Sequence, residues 1–365
     1  MTGGPEAVRP FLYTAMTPDL SVVIPTLNEA GSLPDLLADL AAQTGPGIEI
    51  LISDGGSVDG TRELAAAAMK RLGLDGTVVS GAAGRGRQLN RGAVQARGAW
   101  LLFLHADSRL PSPVALAAAL ACLDRRQDPR VAGHFALRFT LGESERSPDY
   151  YRCEVKARLG LPGTIHGDQG FMLKAAFFRE LGGFREDLPV LEDTLLAEKI
   201  RARGAWCLLP ATIFTSPRRF RTEGFAARQE VNALLVNFAM IGWDAPFHRV
   251  AAVYPVQREV RPLEPAAFFR AVAACLDELP LRERLRVWYH TGRFVQANAW
   301  QLMLRHTVRR AFAAGCPSEA VPLQPIQSFA RCSALITAHP PGYLAAALLT
   351  WLWFRHRCRQ SARGG

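Results

Sequence analysis

Four carboxylates stand at the edges of apolar runs, where chemistry is easiest to place. Residues 100–108 read WLLFLHADS, an apolar run that breaks into His105-Ala106-Asp107. Such a run reads as a buried strand, and ligands gather at the carboxyl ends of strands in an open α/β sheet. A carboxylate held there can bind a divalent cation through hard oxygen, and the cation can neutralise a neighbouring diphosphate. Read alone, Asp107 equally caps the helix suggested over 111–123. Asp54 ends the apolar run 48–53 and precedes Gly55-Gly56, whose bare backbone lets a planar or anionic ligand approach. Its separation from Asp59 suggests that Asp54 faces the cleft while Asp59 orders the loop. Glu192 and Asp193 open a helical run to Ile200, where the helix dipole lowers a carboxylate pKa and keeps a base ionised at neutral pH. A plain N-cap is the alternative there.

Two further clusters carry polar chemistry. The stretch from Gly81 to Ala93, GAAGRGRQLNRGA, is a Gly-rich loop entering a helix, with Arg85 and Arg87 at the entry. Backbone N–H groups and guanidinium both favour anions in that setting, although the arginines can equally be solvated, and the P-loop pattern is absent. Gly167, Asp168 and Gln169 lie between His166 and Gly170 ahead of an apolar strand. Amide and carboxylate there would satisfy sugar hydroxyls; a tight turn with Asp168 as its cap is the simpler reading.

The elements that must position these groups alternate. Strands are expected over 20–25, 48–53 and 78–80, with helices over 33–40 and 62–72 between them, followed by a strand over 131–139 and a helix over 150–161. Strand–loop–helix units in series imply a parallel sheet with right-handed crossovers. From Phe225 to Trp243 the chain is apolar and helical in pattern. Pro255, Pro262 and Pro265 mark a linker, and helices are expected over 265–279 and 281–313.

A chain of 365 residues with 49% hydrophobic side chains can bury a large core. Seven cysteines without a CxxC pair fit a reducing, cytoplasmic setting and argue against a disulfide framework or a zinc cluster. No secretory signal is expected, because the N-terminal stretch lacks a basic region followed by a long apolar core. The net charge of +10 is concentrated: residues 251–365 hold 15 Arg, no Lys and 6 acids. That surface is read as a solvated helical face first, as contact with a membrane surface second, and as a nucleic-acid site least. The last apolar run, YLAAALLTWLWF over 343–354, is too short to span a bilayer and leaves an amphipathic contact helix open.

SVVIPTLNEAGSL, ISDGGSVDGT, GRGRQLNRGA and FLHADS, in that order, resemble the donor half of glycosyltransferase family 2. More narrowly, they are similar to the transferase 2 group associated with radical-SAM and selenodomain proteins. The resemblance covers about residues 20–243. It implies a GT-A fold, α/β with a mostly parallel central sheet, here over 20–250, preceded by a tail (1–19) and followed by a basic, mainly helical extension (251–365) of unassigned role. It further implies that Pro25 and Glu29 border the nucleobase and ribose pocket, that Asp54 reads the base and that Arg85 approaches the diphosphate. His105-Ala106-Asp107 occupies the place of the DxD motif, which makes Asp107 and His105 the metal ligands. Imidazole in place of the first Asp suits Mn²⁺ better than Mg²⁺. Glu192-Asp193 matches the ED motif, with Asp193 as general base and Glu192 orienting the acceptor alongside Gly167, Asp168 and Gln169. Arg218 and Arg219 match a closing arginine segment at the leaving group.

The implied activity is inverting transfer from a nucleotide sugar to a hydroxyl acceptor. The apolar stretches leave room for a lipid or isoprenoid acceptor, and for a place at the cytoplasmic face of a membrane. Two alternatives remain. A sugar-phosphate nucleotidyltransferase would carry a Gly-rich basic signature after the first strand, where PTLNEAGS has none. A non-catalytic nucleotide-sugar-binding or scaffold protein is favoured by the altered HAD and opposed by the intact acids.

Overall fold

The computed structural model describes residues 17–253 and 262–363. Most of the expected N-terminal tail, and Pro255 of the expected linker, lie outside the described residues. Strands β1 (Leu20–Thr26), β2 (Ile48–Asp54), β3 (Asp75–Ser80), β4 (Trp100–Phe103), β5 (Val131–Phe139), β6 (Phe171–Lys174) and β7 (Ala205–Thr215) form one sheet. Their order is β3-β2-β1-β4-β6-β5-β7. Helices α1 (Leu33–Ala41), α2 (Thr61–Leu72), α3 (Arg85–Gln95), α4 (Ala115–Asp124), α5 (Pro148–Ala157), α6 (Ala175–Leu181) and α7 (Glu192–Arg203) are interleaved with the strands. After β7 come α8 (Arg218–Glu223), α9 (Phe225–Ile241), α10 (Ala245–Val253), α11 (Pro265–Asp277), α12 (Leu281–Ala297), α13 (Trp300–Ala313), α14 (Gln324–Thr337) and α15 (Pro340–Arg363). The chain therefore adopts the expected α/β, GT-A architecture with a helical C-terminal region.

The strands alternate their side chains between two cores. On β1, Leu20, Val22 and Ile24 join one core, which takes in Leu33, Leu36, Leu37 and Leu40 of α1. Val23 points the other way, toward Leu89 of α3 and Leu196, Ala197 and Ile200 of α7. Burial on both faces is why these strands read as unbroken apolar runs. The C-terminal helices have two cores of their own. One joins α9, α10, α11 and α15 around Phe238, Phe247, Phe269 and Phe354. The other ties α5 to α13 and α14 through Tyr151, Val155, Trp300 and Leu304. At the α12–α15 crossing a Cβ on Gly292 would lie 2.1 Å from the carbonyl oxygen of Tyr343, so only glycine permits this approach.

Sheet direction gathers the loops that matter at one rim. β1 pairs in parallel with both β2 and β4, so the strand order reverses beside β1 and opens a crevice outside the carboxyl ends of β1 and β4. β6 is antiparallel to both β4 and β5, with Phe171 opposite Phe103. The start of β6 therefore lies beside the end of β4. β7 pairs in parallel with β5 and ends at the same rim.

Three sequence expectations change. The helix expected over 281–313 breaks at Asn298-Ala299, where the Asn298 amide donates to the carbonyl of Phe294 at 2.9 Å and competes with the backbone ladder. The helix expected from 111 begins only at Ala115, because Pro111 and Pro113 do not continue the ladder. β7, unread in the sequence, contains Pro210, which its edge position tolerates.

At the rim opposite the crevice, buried Glu49 accepts from Ser21 Oγ at 2.6 Å, from the Arg97 backbone N–H at 2.6 Å and from Arg97 Nε at 2.7 Å. Burial alone would raise its pKa, but these donors hold it below the usual carboxylate value. A lowered folded pKa gives stability that is full above the unfolded value and is lost as pH falls through the folded one. Glu49→Gln is expected to cost about 1–3 kcal/mol at pH 7. The cost should shrink as the pH is lowered into the acid range, measured by urea unfolding across pH.

Candidate functional site

The loops after β1 and β2 are knitted together before either can meet a ligand. Asn28, in the left-handed region at φ 57°, donates its backbone N–H to Ser57 Oγ at 2.8 Å and accepts from Val58 N–H at 2.9 Å. Glu29 N–H donates to Thr61 Oγ1 at 2.9 Å, and Ala30 N–H to Asp59 at 3.1 Å. Asp59 thus orders the loop, as expected.

Asp54 does not do what the sequence led us to expect. It sits at the end of β2 but is fully buried, with Oδ2 accepting from the N–H groups of Gly56 and Ser57, each at 2.8 Å, and Oδ1 from Thr26 Oγ1 at 3.3 Å. Burial is outweighed by these donors, and its pKa is lowered. It does not line the cavity described below. The two glycines that were to admit a ligand instead let the backbone fold back onto the carboxylate. Gln88, which carries no sequence signal of its own, fastens α3 beneath this turn by donating to the carbonyls of Thr26 at 2.7 Å and Ser53 at 2.9 Å.

Over the rim lies a cavity of about 610 Å³. At one end are Pro25, Glu29, Asp107, Arg218 and Arg219. Arg218, at the start of α8, reaches back across the mouth to Glu29, with Nη2 at 2.9 and 3.1 Å from the two carboxylate oxygens. Asp107 lies in the loop that follows β4; burial and then Glu29 raise its pKa, with Arg218 opposing. Burial and the neighbouring Arg85 lower the His105 pKa to about 3, so its imidazole is neutral at physiological pH.

Deeper in the same cavity are Asp168 and Asp193. Leu191, at φ 66°, turns the chain into α7 in a conformation costly for a branched residue and sets Glu192 and Asp193 in its first turn. Asp193 Oδ2 accepts from Gly167 N–H at 2.7 Å and Oδ1 from Thr194 N–H at 2.7 Å. Burial disfavours its charge, yet Arg85, 3.9 Å away, and the Gly167 N–H hold its pKa at about 2. A Cβ on Gly167 would come within 2.8 Å of Asp193 Oδ2 and 3.0 Å of His105 Nε2. Glycine is what lets the loop, the helix start and the strand end meet.

Arg85 lines the same cavity, where its Nε pairs directly with Glu192 and it also faces Asp193 and His105. Arg87 is exposed, as a solvated arginine would be.

The loop ahead of β6 splits the expected acceptor contacts. The Gly167 N–H is taken by Asp193. Both ends of the Gln169 amide are engaged, with His134 at 2.9 Å and with the carbonyl of Thr164 at 2.9 Å. The Gly167 N–H is thus spent inside the turn, while Gln169 is held by these two contacts and still lines the cavity. Asp168 differs: its Oδ1 is buried without a hydrogen-bond partner, and burial, then Asp193 and Asp107, raise its pKa to about 7.

Sequence reasoning missed Lys156 of α5, whose pKa burial lowers, and the far wall built from Asn232 of α9 and Phe294, Asn298 and Gln301 of the C-terminal region. A single lysine on an amphipathic helix gives no signal. The wall residues become neighbours of the site only when α9 and α12 pack together.

The model for "Glycosyl transferase family 2" matches residues 21–168. The structure of the mannosyltransferase PcManGT from Pyrobaculum calidifontis, in complex with GDP-Man and Mn²⁺, is 21% identical, with a TM-score of 0.46, covering 93% of this chain and 88% of that one. A PGL/p-HBAD biosynthesis glycosyltransferase of Mycobacterium bovis is 37% identical over 112 residues, 30% of this chain, and the chain spans only 43% of that relative's length. The uncharacterized protein MT1568 of Mycobacterium tuberculosis is 30% identical over 236 residues, 56% of this chain and 69% of that protein. From the first strand through the loop that meets Asp193, the chain belongs to glycosyl transferase family 2.

Proposed function

We propose that this protein transfers a glycosyl group from a nucleoside-diphosphate sugar to the hydroxyl of an acceptor with an apolar body, by a single displacement with inversion. The observation that carries the reading is that Asp107 and Asp193 line one cavity of about 610 Å³. That volume suits an activated sugar and part of an acceptor.

In this reading the acceptor oxygen attacks the anomeric carbon while Asp193 takes its proton, and the bond from that carbon to the diphosphate oxygen breaks. With a pKa of about 2, Asp193 is ionised at any working pH but is a weak base. Arg85 keeps Asp193 ionised and Glu192 paired. The orphaned Oδ1 of Asp168 is a ready partner for an acceptor hydroxyl, and Lys156 lies along the same wall. Arg219 and Arg218 supply positive charge where the nucleoside diphosphate leaves, and Pro25 and Glu29 border the nucleoside.

A divalent cation fits the donor end. Burial and Glu29 load Asp107 with unfavourable negative charge that a cation would relieve, and neutral His105 has a lone pair to give. Among the described residues no group of three or more His, Cys, Asp or Glu could hold a metal alone, so Asp107 and His105 would share the ion with diphosphate oxygens. When bound, the ion would neutralise charge on the leaving diphosphate, and Mn²⁺ suits an imidazole ligand better than Mg²⁺.

The acceptor end favours an amphiphile. Val190, Leu191, Val231, Leu235, Leu263 and Phe294 line it, interspersed with Arg228, Gln229, Asn232, Asn298 and Gln301. A lipid or isoprenoid alcohol would bury its chain there and present one hydroxyl.

A thermal-shift panel of UDP, GDP and dTDP and their sugars, with Mn²⁺ or Mg²⁺, tests the donor half. One base should stabilise the protein in a metal-dependent way, and Asp107→Ala should abolish the metal-dependent part. No shift with any nucleotide would refute the reading. Asp193→Asn should keep that shift and lower kcat by roughly 10²–10⁴-fold in a transfer assay with the stabilising sugar. Loss of donor binding in this variant would remove Asp193 from the role of base.

A further inference from the structure

The outward face of α15 is apolar where a helix on the surface of a globular protein should be polar. Its inward side, through Ala347, Phe354 and Cys358, packs on α11 and α12. The opposite side presents Leu344, Leu348, Leu349 and Leu352 to solvent, with Leu349 69% exposed. On α14, Leu335 is 87% and Ile336 71% exposed. Trp351 and Trp353 lie at the edge of the same stripe, each 38% exposed, and the Arg355 guanidinium sits 5.7 Å from the Trp351 ring. The outward face then passes directly into exposed Arg355, His356 and Arg359.

Length rules out a simple span. The apolar run 343–354 is twelve residues, about 18 Å of helix against a hydrocarbon core of about 30 Å. α14 and α15 are bent by 107° at the break between them, and among the described residues no single helix is long and apolar enough to cross a membrane. A bent pair with an outward apolar face fits the plane of an interface instead.

Charge chooses the occupant. Residues 320–365 contain five arginines and no Asp or Glu. A second copy of the chain would bring the same cationic surface against itself, without carboxylates to pair. An anionic bilayer surface offers both a sink for leucine and tryptophan and counter-charge for arginine. We infer that α14 and α15 form a docking hairpin that seats this protein on the surface of an anionic phospholipid bilayer. This does not depend on the transfer reaction, although it places the acceptor end of the cavity near a source of amphiphiles.

The test is flotation of the full chain with vesicles of phosphatidylcholine alone or mixed with phosphatidylglycerol. The parent protein should float with the mixed vesicles, less so as salt is raised, and bind phosphatidylcholine weakly. Leu348→Glu with Leu349→Glu should weaken binding by roughly tenfold or more without changing the thermal midpoint, since both side chains are exposed. Leu344→Ser with Leu352→Ser, a milder pair, should fall between. Arg355→Glu with Arg359→Glu should weaken binding to the mixed vesicles alone. Failure of the parent to float, or unchanged flotation of both leucine variants, would overturn the inference. So would a parent dimer in sedimentation analysis that the leucine variants make monomeric while vesicles bind neither form.

Discussion

The direction of one short strand governs this molecule. β6 runs against both β4 and β5, and that reversal carries the loop at Gly167-Asp168 to the rim where β1, β4 and β7 end. Laid parallel to β4, β6 would begin at the opposite rim, and Asp168 would lie a strand's length away from Asp107. Once the loop is there, Gly167 becomes the meeting point of three elements, and its lone N–H takes one oxygen of Asp193. The arrangement concentrates negative charge from Asp107, Asp168 and Asp193 around one cavity. Arg85 answers it at the inner end, Arg218 and Arg219 at the mouth. The unequal answer is visible in the acids: Asp193, beside Arg85, is held at about 2, while Asp168, without a hydrogen-bonded partner at Oδ1, is pushed up to about 7.

Much of this was legible in the chain because it depends on local pattern. The apolar runs of β1, β2, β4 and β5 and the leucine spacing of α1 report burial directly, and the acids at strand ends and at the start of α7 report where a rim must be. What the chain does not spell out is which way a side chain turns once it arrives. Asp54 ends β2 and Asp107 lies in the loop after β4, yet glycine-permitted backbone folds onto the first while the second faces the cavity. Arg85 lines the cavity, and the sequence carries no sign that distant Glu192 pairs with it there. Gln169 looked like a polar hand toward a sugar, but His134 and Thr164 use both of its ends. In each case the deciding partner is remote in sequence, and local spacing carries no record of it.

The helical C-terminal region is part of the site's architecture. Family similarity over 21–168 covers the knitted loops, the HAD segment and the Gly167 turn. Asp193, the arginines of α8 and the far wall lie beyond it. That wall is held by cores that the sheet does not share, one around Phe238, Phe269 and Phe354 and one bridging α5 to α13. The far wall thus rests on cores of its own, and α5, whose Ala157 joins the sheet's core while Tyr151 and Val155 join α13, links them to the strands.

The contact at Gly292 has a mechanical consequence. With the α15 backbone lying where a Cβ would otherwise be, no side chain is interposed to cushion sliding between α12 and α15. Phe294, two residues along α12, lines the cavity, so a side chain at 292 would have to part α12 from α15 and would shift that wall with it.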